Sequence, residues 1–210
     1  MGNGGVIVEW LEVLGDGSGA DGFEVQSSVT GNVTLRNNLF HGLGAAVQAE
    51  GGAVSLDIYN NLIYGLEKED IKIEAHVTRA RIMNNTILNS IDEGIIGVVA
   101  GPYPEVLMRN NIIYKASGTS FAVPTPDVRS GNNISRDATA PGAGSFTGVC
   151  LTGVNCLNFV SATNLHLQSS SFAIHEALTP DPPNGASTSS TTSTPGCGRA
   201  PGTSAPTSPG

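Results

Sequence analysis

Apolar residues alternate with polar ones in short stretches of this chain, and each stretch surrounds a pair of asparagines. Four clear copies of this frame occupy residues 33–40, 56–63, 80–87 and 106–113, and a weaker fifth copy surrounds residues 132–133. Alternation with a period of two is typical of β-strands that bury one face. The pattern therefore predicts a strand on each side of every asparagine pair.

The asparagine pairs form a repeat. Their second members are Asn38, Asn61, Asn85, Asn111 and Asn133, at spacings of 23, 24, 26 and 22 residues. A further alternating stretch follows each pair, at residues 47–50, 71–74, 95–98 and 121–123. Each repeat therefore supplies three short strands. An earlier degenerate turn places Leu11 at the position of the second asparagine, so the sequence predicts about six coils, with the first and the last imperfect.

Asparagine suits this corner for two reasons. It tolerates left-handed backbone dihedrals better than any residue except glycine. An inward carboxamide can also bond the coils above and below it, and a stacked column satisfies every member except those at its ends. The alternative is a row of solvent-exposed turn asparagines.

The frame h-x-h-x-Asn-Asn-x-h, at a spacing of 22–26 residues, resembles the right-handed parallel β-helix superfamily, the pectate-lyase-like fold. The resemblance implies an all-β solenoid with an internal asparagine ladder at the five second asparagines. Residues 158–174 also resemble the C-terminal signature of bacterial β-helix-repeat proteins. A leucine-rich repeat is the competing fold, but the Gly-rich loops and alternating β-branched residues in the second half of each repeat argue against it.

Composition divides the chain and limits its partners. Residues 1–178 are predicted to be the β-helix domain, and the Ser/Thr/Pro/Gly-rich residues 179–210 a disordered linker or stalk. The net charge of −8 argues against a nucleic-acid partner, and the sequence has no apolar run long enough to span a membrane. Ser/Thr/Pro stalks indicate an extracellular or cell-surface setting. Residues 1–14 are apolar but lack a basic stretch and carry Glu9 and Glu12, so we do not expect them to act as a signal peptide. Because the sequence begins almost directly on a strand, we expect further coils upstream.

Two smaller features leave alternatives open. Cys150 and Cys156 are either a small disulfide loop or two buried thiols. The outward column of the last strands reads His41, Tyr64, Leu88 and Tyr114. It is either a sugar-stacking surface or a surface that packs beneath a loop or tail.

Carboxylates gather on the face of the first strand of each repeat and on its adjoining loops. Glu50 and Glu74 should be vertical neighbours, a like-charge pair that Lys72 or a cation would relieve. The residues predicted to form a ligand or cation face are Glu50, Lys72, Glu74, Glu67, Glu69, Asp70, Asp92 and Glu93. Such a flank could hold Ca²⁺ or supply an acid–base pair. The alternative is a solubilising acidic edge.

The family resemblance implies that this face and its loops form a polysaccharide groove. No catalytic motif of the superfamily is intact here, so no catalytic residue is assigned. Three functions follow as hypotheses: a polysaccharide-binding module, a Ca²⁺-assisted lyase or epimerase or another carbohydrate-active enzyme, and a structural stalk or adhesin-like spacer. The oligomeric state is left open.

Overall fold

The computed structural model describes residues 5–50, 54–74, 77–97, 105–115, 117–153, 156–161 and 165–175. These residues form three parallel sheets, with strands numbered in chain order. Sheet A contains β1 (Gly5–Glu9), β4 (Gly31–Arg36), β7 (Val54–Tyr59), β10 (Val77–Met83) and β13 (Glu105–Arg109). Sheet B contains β2 (Glu12–Leu14), β5 (Leu39–His41), β8 (Leu62–Tyr64), β11 (Thr86–Leu88), β14 (Ile112–Tyr114) and β16 (Ile134–Ser135). Sheet C contains β3 (Phe23–Val25), β6 (Val47–Ala49), β9 (Ile71–Ile73), β12 (Ile95–Gly97) and β15 (Phe121–Ala122).

The chain visits sheets A, B and C in turn, which makes a three-sided parallel β-solenoid. This is the predicted fold, and the strands of sheet C occupy the half-repeat where a leucine-rich repeat would carry helical leucines. The residues 179–210 lie outside the described part, so the linker assignment remains a prediction. A single 3₁₀ turn, Phe172–His175, is the one helical element among the described residues.

The coil count is slightly lower than predicted. Strands β1 to β15 make five complete coils, and β16 adds one further strand to sheet B alone. Beyond it the stacking continues through single bridges, from Gly131 to Ala143 and from Ile134 to Phe146. Only 12 residues separate Asn133 from Ser145, the residue stacked on it. That length is too short for three strands and their loops, so the solenoid tapers instead of completing a sixth coil.

The inward columns are the predicted ones. In sheet A, Leu35, Ile58, Ile82 and Met108 are register partners, and each is completely buried. Sheet B contributes the matching column of Phe40, Ile63, Ile87 and Ile113. Each such side chain contributes about 1.5–3 kcal/mol through burial. Like residues therefore stack on like residues along the whole core.

The two asparagines of each pair have different roles. The first takes the left-handed conformation at the corner between sheets A and B, and the second is buried. The first members are Asn37, Asn60, Asn84, Asn110 and Asn132, with φ between 51° and 57°. Side-chain burial of the second members is nearly complete, since at most 3% of any of them is exposed.

Asn85 shows how the buried carboxamides are bonded. Its Oδ1 accepts hydrogen bonds from the backbone N–H and the Nδ2 of Asn61, both at 3.0 Å. Its Nδ2 donates to the carbonyl of Ile58 at 2.9 Å and to Oδ1 of Asn111 at 3.1 Å. Equivalent bonds run through the other second asparagines, so the predicted ladder is confirmed.

Both ends of the ladder are satisfied. At the first coil, the backbone N–H of Leu11 donates to Oδ1 of Asn38 at 3.1 Å. At the last, Nδ2 of Asn133 donates to the carbonyl of Pro141 at 3.1 Å. Leu11 therefore takes the position that the sequence assigned to it, and no carboxamide in the column is left unpaired at a cost of about 1–3 kcal/mol.

The C-terminal residues cover the outer face of sheet B. A second apolar cluster joins Leu88, Tyr64 and Tyr114 of this face to Phe159 and Leu165. Cys150 and Cys156 are joined by a disulfide within the covering segment. The column of Tyr64 and Tyr114 is therefore a surface that packs beneath the C-terminal residues, which is the second of the two predicted alternatives.

We expect Asn85→Ala to lower the free energy of unfolding by at least about 3 kcal/mol. The substitution leaves the Asn61 amides and the Ile58 carbonyl without partners in the core, at about 1–3 kcal/mol each. Chemical denaturation measures this loss. The matched control is Asn89→Ala, an exposed asparagine with φ 55°. It should lose only about 1–2 kcal/mol, the cost of alanine in that conformation. Equal losses in the two variants would contradict the role of the ladder.

Candidate functional site

The outer face of sheet C, here called the first-strand face, carries a column of aligned side chains. Gln48, Lys72 and Ile96 are register partners at its centre. Nε2 of Gln48 donates to Glu50 at 3.0 Å, and Nζ of Lys72 lies 3.4 Å from the carboxylate of Glu74. Each glutamate therefore has a partner two residues before it on its own chain segment. Of the two glutamates, Glu74 is the one that Lys72 contacts, and the like-charge pair of Glu50 and Glu74 stays a prediction.

Three of the predicted carboxylates meet at the other end of the same strands. Glu69 precedes β9, and Asp92 and Glu93 precede β12; their carboxylate oxygens all lie within 4.8 Å of one another. The backbone brings the two loops into register, because the N–H of Asp70 donates to the carbonyl of Glu93 at 3.0 Å. These three residues, called the carboxylate cluster below, are exposed or half-buried.

The three carboxylates of the cluster repel one another, and this repulsion contributes to a raised pKa at Glu93. The pKa of Glu93 is raised above its usual value, first by its hydrogen bond with Asp92, then by partial burial and by repulsion from Asp92 and Glu69. Within the described part of the chain, no lysine or arginine forms an ion pair with any of the three. The crowding is therefore relieved only by a shared proton or by a cation from solution.

Asp70 does not face the solvent as predicted, which corrects its place in the candidate face. Its carboxylate is fully buried and accepts hydrogen bonds from Ser90 Oγ and from Lys115 Nζ, the latter at 2.9 Å. Burial raises the pKa of Asp70 to about 6, while the attraction of Lys115 and the hydrogen bond from Ser90 partly oppose this rise. Asp70 belongs to the packing between coils.

Sequence reasoning missed Ser90 and Lys115 as the partners of Asp70. Lys115 directly follows β14 and is only 2% exposed, which is rare for a lysine. Spacing gave only part of the signal: Lys115 lies 45 residues after Asp70, about two coils, whereas Ser90 lies 20 residues after it, less than one coil. The repeat alone therefore does not bring the three side chains together.

The predicted acidic flank consists of two separate edges. Glu69 precedes β9 and Glu74 follows it, so about 16 Å of extended chain separates them. Glu67 is exposed and belongs to the same loop as Glu69, but it is not a member of the carboxylate cluster. The structure thus joins Glu69 to Asp92 and Glu93, joins Lys72 to Glu74, and does not bring the two groups together.

Three comparisons bear on identity. A family model described as a right handed beta helix region matches residues 3–135. The match ends at the last residue of β16 and therefore includes every strand of the described residues. No curated protein and no solved structure matches the chain. Among the described residues, no helix is long and apolar enough to cross a membrane.

The buried Asp70 carboxyl should make stability depend on pH. Its pKa lies near 6 in the folded chain against 3.8 for an ordinary aspartate, so between these values the folded state binds more protons. Stability therefore falls as pH rises through this window. Relative to Asp70→Asn, which cannot ionise, the wild-type free energy of unfolding should drop by about 2 kcal/mol between pH 4 and pH 6. Denaturant titrations at several pH values measure the difference. A difference that grows in favour of the wild type would show that attraction by Lys115 outweighs burial.

Proposed function

The chain belongs to the right-handed β-helix family, and from this we propose that it is a polysaccharide-binding module of the cell surface or extracellular space. The carboxylate cluster holds Ca²⁺, and the cation bridges to the carboxylates of an acidic polysaccharide that lies along the first-strand face. The observation that carries the proposal is the convergence of Glu69, Asp92 and Glu93 within 4.8 Å.

The donor set suits this cation. Ca²⁺ takes six to eight oxygen ligands at about 2.3–2.6 Å, so two ligands on opposite sides of the ion lie about 5 Å apart. Three carboxylates within 4.8 Å of one another fit that size. They supply fewer oxygens than the ion accepts, and this leaves positions for water and for uronate carboxylates. Because three anions without a basic partner repel one another, the free energy of cation binding includes relief of that repulsion.

The first-strand face supports the polysaccharide part of the proposal. Its polar side chains repeat at the coil spacing of about 4.8 Å, and Gln48 and Lys72 follow one another in the same column. A polymer lying along the solenoid axis would meet the amide of Gln48 and the ammonium of Lys72 in successive coils. A structural spacer would need neither this column nor the carboxylate cluster.

The contacts of the basic residues favour a binding module over a lyase or epimerase. An enzyme of that kind needs a base beside the cation, but Nζ of Lys72 is directed to Glu74, and Nζ of Lys68 lies 3.3 Å from Asp21. Both lysines are therefore engaged with carboxylates outside the cluster.

The disulfide favours the proposed location. Disulfides persist in secreted and surface proteins and are rare in the reducing cytosol. The bond between Cys150 and Cys156 closes a loop within the segment that covers sheet B. An oxidising compartment would preserve it.

We expect Ca²⁺ to bind the wild type in isothermal titration calorimetry and Glu93→Gln to weaken this binding at least tenfold. The variant removes one of three charged ligands without changing the size of the side chain. Binding should also weaken as the pH falls, because the proton on Glu93, whose pKa is raised, competes with the cation. The matched control is Glu67→Gln, an exposed residue of the same loop that lies outside the cluster.

The polysaccharide part is tested by retention on immobilised polygalacturonate or alginate. Retention should require Ca²⁺, be lost with a chelator and be weakened in Glu93→Gln but not in Glu67→Gln. Calcium binding without retention would leave a cation site and reject the polysaccharide partner. Equal calcium affinity in the two variants would reject the carboxylate cluster as the site.

A further inference from the structure

The corner between sheets A and B carries a second feature, on the side of the solenoid away from sheet C. Here the residues in left-handed conformation stack as an outward column, called the asparagine corner. In four successive coils its members are Trp10, Asn37, Asn60 and Asn84, with φ between 55° and 60°. At about 4.8 Å per coil the column is about 14 Å long.

A groove runs along this column. One hollow of about 450 Å³ extends from Trp10 past Asn37 to Asn60, and a second of about 280 Å³ continues from Asn60 to Asn84 and His166. The two hollows share Asn60 and Leu62, so they adjoin one another, and both are shallow and open to solvent. The lining includes asparagines of the corner together with Leu39 and Leu62 of sheet B.

Trp10 is anomalous in two ways. The other members of the corner are asparagines, which tolerate φ near 57°, whereas Trp10 holds φ 60° with a bulky side chain that disfavours it. Trp10 is also 75% exposed, and its indole N–H has no hydrogen-bond partner in the described part of the chain. A strained and exposed aromatic residue lowers stability, and such residues are commonly found at binding sites.

The carboxamides beside Trp10 are free to bind a ligand. The side chains of Asn37 and Asn60 form no hydrogen bond with the described residues, and neither does Nδ2 of Asn84. The Oδ1 of Asn84 is engaged, since it accepts from Asn110 at 3.0 Å. Each free carboxamide offers both donors and an acceptor, the combination that matches hydroxyl groups.

We propose that the asparagine corner binds a short neutral oligosaccharide, with one sugar stacked on Trp10 and its neighbours hydrogen-bonded to Asn37 and Asn60. An indole face binds the C–H face of a pyranose, and amides one coil apart bind hydroxyls of successive units. This site is separate from the first-strand face, and its ligand is of a different class.

The groove favours a neutral glycan over the other ligand classes. Its charged member is Glu12, whose carboxylate lies 2.9 Å from His41, so an anionic polymer gains no cationic partner there. A peptide strand would need free backbone groups, but the corner amides are already used. The N–H of Asn60 donates to Met83 at 3.1 Å, and that of Leu62 to Asn38 at 2.9 Å.

The chain contains a single tryptophan, so its emission reports directly on the proposed site. We expect a saturable change in tryptophan fluorescence with neutral oligosaccharides prepared from glucan, mannan or xylan. The change should persist in a chelator. Galacturonan fragments and a mixed peptide library serve as comparison ligands and should give no change under the same conditions.

Two substitutions separate binding from folding. Asn60→Gly removes the carboxamide but keeps a residue suited to positive φ, and it should weaken binding about tenfold. Asn89→Gly is the matched control, an exposed asparagine with φ 55° that lies outside the groove, and it should bind as the wild type does. Trp10→Asn should abolish binding in calorimetry while raising the denaturation midpoint, because asparagine suits this corner.

Several results would overturn the proposal. These are no emission change with any neutral oligosaccharide at millimolar concentration, equal affinity in Asn60→Gly and Asn89→Gly, or a response to peptides instead of glycans. A response that occurs only with galacturonan and Ca²⁺ would assign binding to the carboxylate cluster and not to this groove. Failure of calcium binding alongside a chelator-resistant response to neutral glycans would reject the proposed function above and leave this site standing.

Discussion

The structure depends on one constraint: a carboxamide buried in an apolar core must have every donor and acceptor bonded. In each coil the second asparagine meets this constraint only if the next coil carries its own asparagine at the equivalent position. A slip of one residue would leave several polar groups unpaired, at about 1–3 kcal/mol each, and would also turn the isoleucine and leucine columns outward. The ladder therefore fixes the register that the apolar columns then fill.

The same constraint separates scaffold from surface. Inward positions repeat because their neighbours above and below are copies of themselves, so Ile58 must fit Ile82. Outward positions have no such requirement, and they differ from coil to coil. Gln48, Lys72 and Ile96 follow one another in one column, and a tryptophan heads a column of asparagines. Apart from the corner asparagines Asn37 and Asn60, the residues with candidate chemistry are therefore those that break the repeat.

This division explains what the sequence could predict. The ladder, the three strands of each repeat and the place of Leu11 all follow from periodicity, because stacked coils convert equal spacing into contact. The burial of Asp70 could not be predicted in the same way. It depends on contact with Lys115, which lies two coils away and is brought to Asp70 only by the folded structure. The sequence predicted an imperfect last coil, but not that its stacking would shrink to single bridges, because the residues after Ile134 lack a repeated frame. Likewise, the sequence predicted one acidic flank, whereas Glu69 and Glu74 lie at opposite ends of strand β9.

The bonds of the ladder all run in one direction. In each step the Nδ2 of one asparagine donates to the Oδ1 of the asparagine in the following coil, from Asn38 to Asn133. Every coil with the asparagine therefore presents an Oδ1 acceptor to the preceding coil and an Nδ2 donor to the following coil. A coil that carries the asparagine pair can be inserted or deleted without disturbing its neighbours. Gene duplication could thus lengthen such a molecule one coil at a time, which makes its length a quantity that evolution or a protein engineer can set in steps of about 4.8 Å.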